Sequence, residues 1–171
     1  MSPKVDCLVA IIRDTVPTMT EMIDEIDRRI LASLQKDAAQ SLDTLSERVH
    51  LSRNACWRRV RRMEDAGLIR GRVALLDAEK LGVGLSAFVM IRAREHTAEW
   101  LAGFRRVVAE MSEISGAYRM SGDPDYMLRV RVSSVADYDR FYQRLIQKLK
   151  AADVSASFVM EEIKDTTELP L

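Results

Sequence analysis

The spacing of apolar residues changes once along this chain, at the two glycines Gly82 and Gly84. Before them, apolar residues recur three and four positions apart, which is the spacing of amphipathic helices. After them, short and partly alternating apolar segments appear between further helical segments, a pattern typical of strands mixed with helices. The sequence therefore predicts two domains, 23–72 and 85–168, joined by a linker over 73–84.

Three helices are predicted in the first domain, over 24–36, 42–50 and 53–66. Ser41 and Ser52 stand where the N-caps of the second and third helices are expected, because a serine hydroxyl can accept a hydrogen bond from a free N–H of the first turn. Gly67 stands where a left-handed cap would end the third helix. Two helices joined by a short turn, behind a supporting first helix, predict a winged-helix-like helix-turn-helix domain.

The third predicted helix lies in a strongly basic segment. Residues 47–72 hold eight basic and three acidic residues, a net charge of +5, whereas the 26 basic and 26 acidic residues of the whole chain balance. A local patch of this kind is a better sign of nucleic-acid binding than total charge. The alternative is an ordinary solvated helix face, which would be favoured if the arginines stood without the preceding helices.

The two sides of this helix differ in chemistry. At about 100° per residue, one narrow stripe is apolar and consists of Cys56, Val60 and Met63. Asn54, Arg58 and Arg61 lie opposite, and guanidinium and amide groups are those that reach phosphates and purine edges in a major groove. We expect these three residues to contact base edges.

The flanks of the helix are expected to position it on the DNA. Phosphate contacts are predicted for Arg53, Arg59 and Arg62. Trp57 lies at the edge between the two sides and either packs onto the first helix or lies against the sugar–phosphate backbone. The complete predicted DNA-binding set is Ser52, Arg53, Asn54, Trp57, Arg58, Arg59, Arg61 and Arg62.

The second domain is predicted to be an α+β unit of the order βαββαβ. Strands are predicted over 85–93, 114–121, 126–132 and 154–164, with helices over 97–112 and 135–150. This order is that of a ferredoxin-like fold, a four-stranded antiparallel sheet with two helices on one face. The other face has to be covered, and self-association is the usual way.

Several classes of protein are disfavoured by what the sequence lacks. Cys7 and Cys56, the only cysteines, are far apart, and no histidine has neighbours at metal-ligand spacing. The apolar run 7–12 is too short for a membrane span and is a poor signal peptide. We expect a cytoplasmic protein without cofactor, metal or catalytic residues. Residues 1–22 are predicted to be an N-terminal arm, with disorder and a later start codon as open alternatives.

Six stretches carry a family pattern in the right order. They are Ile26–Leu31, Leu45-Ser46 with Val49, Leu51-Ser52 leading to Arg58–Glu64, Gly67–Gly71, Ser121–Leu128 and Val159–Ile163. With a helix-turn-helix followed by βαββαβ, the chain closely resembles the Lrp/AsnC family of transcription regulators over residues 23–168. The resemblance implies double-stranded DNA as a partner and homodimers formed through the C-terminal sheets, often assembled into tetramers or octamers. Two-fold dimers would then require roughly palindromic half-sites.

The resemblance also implies an effector, usually an amino acid, bound in the second domain near the interface between dimers. Its candidate lining is the turn Gly122–Tyr126 with the facing segment 157–159, and the full set is Arg119, Gly122, Asp123, Asp125, Tyr126, Ser157, Phe158 and Val159. Carboxylates of such a turn can accept hydrogen bonds from an ammonium group, and its backbone amides can hold a carboxylate. A plain tight hairpin turn is the alternative.

Two departures from the family pattern bear on the effector. Arg119 sits where leucine-sensing members tend to be apolar, and Ser157 is small. Both put leucine in doubt and favour a polar or bulkier ligand. The sequence therefore predicts a sequence-specific transcription regulator, with an architectural, weakly specific DNA-organising protein without an effector as the alternative. An enzyme is not expected, because Asp123 and Asp125 in one turn do not make a general acid and base without a pocket.

Overall fold

The computed structural model describes residues 23–149 and 151–171, so the predicted N-terminal arm lies outside the described residues. The chain divides into two units. The first contains the described residues up to Val73 together with Asp165–Leu171, and the second is Ala74–Lys164. Of the predicted linker 73–84, Val73 belongs to the first unit and 74–84 to the second. Residues 165–168, predicted in the second domain, belong to the first unit.

The first unit contains the three predicted helices. They are α1 (Glu25–Lys36), α2 (Leu42–Arg48) and α3 (Arg53–Asp65). Asp24 begins α1 with a capping box, in which its side chain accepts from the Asp27 N–H and the Asp27 side chain accepts from the Asp24 N–H. Ser41 and Ser52 cap α2 and α3 through their hydroxyl groups, as the sequence predicts.

Both α2 and α3 end in the same backbone motif, but with different residues at its left-handed position. After α3, the Leu68 N–H donates to the Met63 carbonyl at 2.9 Å, around Gly67 with φ of 71°. After α2, the Leu51 N–H donates to the Ser46 carbonyl at 2.9 Å, around His50 with φ of 58°. This is the Schellman arrangement, which glycine forms with least strain because it has no Cβ. The left-handed turn explains why α2 stops at Arg48 rather than at the predicted residue 50.

Replacing His50 by glycine is therefore expected to stabilise the first unit by about 0.5–1 kcal/mol, because it removes the left-handed strain of a residue with a Cβ. Equilibrium unfolding in denaturant, followed by the fluorescence of Trp57, measures the change. Gly67→Ala is the matched control and should shift stability the opposite way, since a Cβ there meets nothing within 4 Å and only the backbone conformation is affected. Destabilisation by His50→Gly would contradict the assignment of strain to this turn.

One side of each helix forms the core of the first unit. The buried apolar residues are Ile30, Leu45, Val49, Cys56, Val60 and Met63. The predicted apolar stripe of α3 is confirmed, since its three members are all in this core. Their burial fixes how α3 is rotated about its axis and hence which of its side chains face solvent.

The second unit is a four-stranded antiparallel sheet with two helices, in the predicted order βαββαβ. Its elements are β1 (Leu85–Ala93), α4 (Ala98–Glu110), β2 (Ile114–Arg119), β3 (Tyr126–Val132), α5 (Val135–Lys148) and β4 (Ala151–Phe158). The strand order is β2-β3-β1-β4, with β1 and β3 in the centre.

The last strand differs from its predicted bounds of 154–164. It starts at Ala151 and ends at Phe158, because it pairs with β1 from Ala93↔Ala151 to Ala87↔Phe158. One further bond follows, from the Val159 N–H to the Ser86 carbonyl at 2.9 Å. Beyond that point the described residues make no further ladder bond to β1, and a strand without ladder bonds does not continue.

Alternation along the strands gives the sheet one covered and one open face. On the helix side, Val89, Ile91, Leu128 and Val130 are fully buried and pack with Phe104 and Val107 of α4 and with Phe141 and Leu145 of α5. Residues of the opposite parity point to the other face. Phe88, Met90 and Met127 lie there and are only half-buried.

Candidate nucleic-acid interface and effector site

The outward side of α3 carries the side chains that the sequence predicts to contact base edges. Asn54, Arg58 and Arg61 are all exposed, on the side of the helix opposite the buried stripe. Ser52 fixes the start of the helix, since its hydroxyl accepts from the Ala55 N–H at 3.3 Å. Within the part of the chain that the structure describes, the Arg58 guanidinium has no hydrogen bond or ion pair. It therefore presents all its donors to solvent.

The neighbouring arginines on this side take part only in exposed ion pairs. Arg53 lies 3.3 Å from Asp43 of α2. Arg61 lies 3.7 Å from Glu64 and 3.5 Å from Asp65. Surface pairs of this kind contribute little to stability and are screened by salt. They can be exchanged for phosphate or base contacts at low cost.

Arg59 is held differently from its neighbours. Its Nη1 atom lies 2.7 Å from Asp24 and 2.9 Å from Asp27, both at the start of α1, and its side chain is 25% exposed. These side-chain hydrogen bonds, first that to Asp24, raise the pKa of Arg59. The backbone N–H of Asp27 and the Arg59 guanidinium lower the pKa of Asp24. Arg59 is thus bound to the start of α1. The sequence, in contrast, predicted that its side chain would be available to contact phosphate.

Arg62 is bound to α1, like Arg59, and is also exposed, like Arg58 and Arg61. It pairs with the second oxygen of Asp27, which is itself only 1% exposed, yet the Arg62 side chain remains 54% exposed. Asp27 is a partner of α3 that the sequence did not predict. The signal available in the sequence was a carboxylate on the apolar side of α1, one turn before the fully buried Ile30.

Trp57 is 56% exposed. It borders a surface groove of about 270 Å³ together with Leu34 of α1, Leu42 and Leu45 of α2, and Val60. Trp57 thus lies beside this groove with more than half of its surface exposed, and both of its predicted positions stay predictions.

In the second unit, the predicted effector turn is tied to the end of β1. The Arg92 Nε atom donates to Asp123 at 2.6 Å, and a second bond joins its terminal nitrogen to the other carboxylate oxygen. These bonds raise the pKa of Arg92. Asp125 accepts from the Ala93 N–H at 2.9 Å and lies 3.7 Å from His96. Sequence reasoning missed Arg92 and His96, although an arginine near the end of an apolar strand was a visible signal.

The other turn residues have different surroundings. Tyr126 is 5% exposed, and its ring lies 4.5 Å from that of Phe104 and 5.3 Å from that of Trp100, between centroids. Its ring belongs to the core, and its place in the ligand lining stays a prediction. Gly122 and Arg119 are exposed at the hairpin end.

The segment 157–159 lies at the other end of the sheet. Ser157 pairs with Phe88 and Phe158 with Ala87, whereas the turn contacts Arg92 and Ala93. Five residues of β1 separate the two places by about 16 Å. Within one chain, the turn and this segment do not face each other as expected. A site that contains both needs them from different chains.

Each of the two units matches a known protein family. Residues 23–70 match the family model for a winged helix-turn-helix DNA-binding domain. Residues 86–169 match the model for the Lrp/AsnC ligand-binding domain. The chain is 49% identical, over 151 residues, to the DNA-binding transcriptional activator DecR of Escherichia coli K12, which covers 88% of this chain and 99% of the relative. The chain belongs to the Lrp/AsnC family.

Solved structures agree with this membership. An AsnC family transcriptional regulator from Agrobacterium tumefaciens has a TM-score of 0.84 and 50% identity, over 86% of this chain and 97% of that one. A transcriptional regulator from Neisseria meningitidis, solved in complex with L-Met, has a TM-score of 0.83 and 34% identity, over 86% and 96% of the two chains. This Lrp/AsnC protein is accordingly a DNA-binding transcription regulator, not an enzyme. No helix among its described residues is long and apolar enough to span a membrane.

Proposed function

We propose that this Lrp/AsnC regulator reads its target sequence with Asn54, Arg58 and Arg61 on the outward side of α3. The observation that carries the proposal is the exposed Arg58 at the centre of that side, which has no ion pair or hydrogen bond of its guanidinium among the described residues. A guanidinium with free donors can bind the two acceptors of a guanine in the major groove, and an amide can do the same for adenine. Burial of the opposite stripe supports a fixed presentation of these groups.

Phosphate contacts are proposed for the flanks of the same helix. Arg53 and Arg62 are half-exposed or more, and Ser52 lies at the N-terminus of α3, where backbone N–H groups attract phosphate. Trp57, which is 56% exposed, is proposed to lie against the sugar–phosphate backbone. Arg59 is left out of the phosphate set because its Nη1 atom is bound to two carboxylates and its side chain is only 25% exposed.

Arg58→Ala is expected to weaken binding to the specific site by about 1–3 kcal/mol and to relax sequence preference at one base pair. The site is first selected from random duplexes with the wild-type protein, and affinity is then measured by mobility shift at fixed salt. Arg105→Gln, an exposed arginine on α4 in the second unit, is the matched control and should leave affinity unchanged. Unchanged specific binding by Arg58→Ala would remove this residue from the readout.

Self-association is proposed to occur through the open face of the sheet. Phe88, Met90 and Met127 are half-buried on it, and apolar side chains of this size are normally covered in a stable protein. A two-fold dimer would present two copies of α3 to palindromic half-sites. Assembly of such dimers into tetramers or octamers is the wider expectation for this chain.

The effector is proposed to be an amino acid or a related small molecule. The complex of the Neisseria regulator with L-Met supports this ligand class. The polar turn with Arg92, Asp123 and Asp125 offers both a cation and carboxylates, which complement the two charged groups of an amino acid. Ser157, Phe158 and Val159 are proposed to come to this turn from another chain, between dimers in the cytoplasmic assembly.

The test is a mobility-shift titration on the DNA upstream of the protein's own gene, with each of the twenty amino acids in turn. A specific shift that one amino acid alters supports the regulator with an amino-acid effector, and Asp123→Asn should then reduce the response to that amino acid. Sedimentation under the same conditions reports whether the ligand changes the assembly. Equally tight binding to any DNA, indifferent to every amino acid, would favour the architectural alternative.

A further inference from the structure

Asp27 is a buried carboxylate shared between two arginines of α3. Its side chain is 1% exposed, and one oxygen lies 2.9 Å from Arg59 while the other pairs with Arg62. Asp24 takes a further bond from Arg59 at 2.7 Å. Four charged groups, two of each sign, therefore join the start of α1 to α3.

The two arginines are not equivalent. Arg59 is 25% exposed, and its Nη1 atom is bound to two carboxylates. Arg62 is 54% exposed and pairs with one carboxylate through a terminal nitrogen, so its guanidinium is more open to a further acceptor than that of Arg59. Arg62 comes four positions after Arg58 and so lies one turn further along the same side of the helix.

We propose that Asp27 is a positioning residue for DNA binding, which holds Arg62 so that its free edge donates to a DNA phosphate. An arginine already fixed by a carboxylate loses less side-chain freedom when it binds, and its planar fork can contact two oxyanions at once. The inference rests on the proposed use of the outward side of α3.

Positioning of Arg62 by Asp27 and long-range electrostatics predict opposite changes in DNA affinity when the charge of Asp27 is removed. The proposal can therefore be tested. Asp27→Asn removes a negative charge beside a DNA-binding helix, so long-range attraction by itself should tighten binding. If Asp27 instead orients Arg62, the same substitution weakens binding. The direction of the change thus separates the two roles.

The experiment measures affinity of the full-length protein for a mixed-sequence duplex over a range of salt concentrations. Asp27→Asn and Arg62→Gln are each expected to weaken binding by about fivefold, and Arg62→Gln to lower the salt slope by about 1. The double variant should bind no worse than Arg62→Gln alone, because Asp27 acts through Arg62. Fivefold losses that multiply in the double variant, or tighter binding by Asp27→Asn, would overturn the proposal.

Arg62→Lys covers the case in which Asp27→Asn fails to fold, which thermal unfolding reveals. Lysine keeps the charge on an exposed position but cannot hold a carboxylate and a phosphate with one planar group. Weaker binding with an unchanged salt slope is expected, and binding equal to the wild type would reject positioning by Asp27. Arg58→Ala, measured on the selected specific site, distinguishes failure of this inference from failure of the proposed function. Its loss of specific binding tests the outward side of α3 independently of Arg62.

Discussion

Phe141→Ala should lower the free energy of unfolding of the second unit by about 3–5 kcal/mol. Phe141 of α5 is fully buried, is the largest of the fully buried side chains among the described residues, and belongs to the core between the helices and the sheet. Removing the ring forfeits its transfer from water and leaves a cavity that Val130, Leu128 and Leu145 cannot fill without moving. A change of this size approaches the whole stability of a small unit.

The two tryptophans allow each unit to be followed separately. Trp57 lies in the first unit and Trp100 in the second, and the chain has only these 2. In a Trp57→Phe background, denaturant unfolding at fixed protein concentration reports the second unit through Trp100. Val135→Ala, at an exposed position of the same helix α5, is the control and should cost less than about 0.5 kcal/mol. An equally small loss for Phe141→Ala would show that this residue does not support the core.

Asp27→Ala is expected to destabilise the first unit by about 3 kcal/mol, the low end for breaking a buried ion pair, because its arginine partners keep some contact with water. The substitution leaves Arg59 without one of its two carboxylates and removes half of the capping box of α1. Asp27→Asn retains an acceptor and should cost less. These losses arise from uncompensated charge rather than from a cavity.

Trp57 fluorescence in a Trp100→Phe background measures this loss. Asp43→Ala is the matched control, since Asp43 also pairs with an arginine of α3, but on the surface at 3.3 Å. Its removal should change stability by less than about 0.5 kcal/mol. Equal losses in the free energy of unfolding for the two substitutions would mean that the burial of Asp27 does not increase its contribution to stability.

The ion-pair cluster also changes how the basic segment 47–72 relates to DNA. The sequence counts every arginine of α3 as available for DNA, but Arg59 is neutralised within its own unit. The salt dependence of binding should therefore reflect fewer contacts per chain than the number of arginines suggests. The charge of a side chain in the sequence therefore does not tell whether it stabilises the first unit or is available to bind DNA.

Local patterns in the sequence determined where the helices and strands lie and which side of each is apolar. The serine caps, the apolar stripe of α3 and the alternation in β3 depend on residues within one or two turns of each other, so spacing alone predicts them. The order of helices and strands along the chain then restricts the topology to a helix-turn-helix followed by a ferredoxin-like sheet. The outward side of α3 and the family followed from the same short-range patterns.

Only the tertiary structure decided which charged groups meet and which ends of strands lie together. Asp27 is separated from Arg59 and Arg62 by 32 and 35 residues, and nothing in either local pattern indicates the other. In the same way, the register of β1 with β4 put Ser157 at the opposite end of the sheet from Asp123. Periodicity tells which side of an element is buried, whereas partners across the fold are chosen by packing and strand register, which the whole chain sets together.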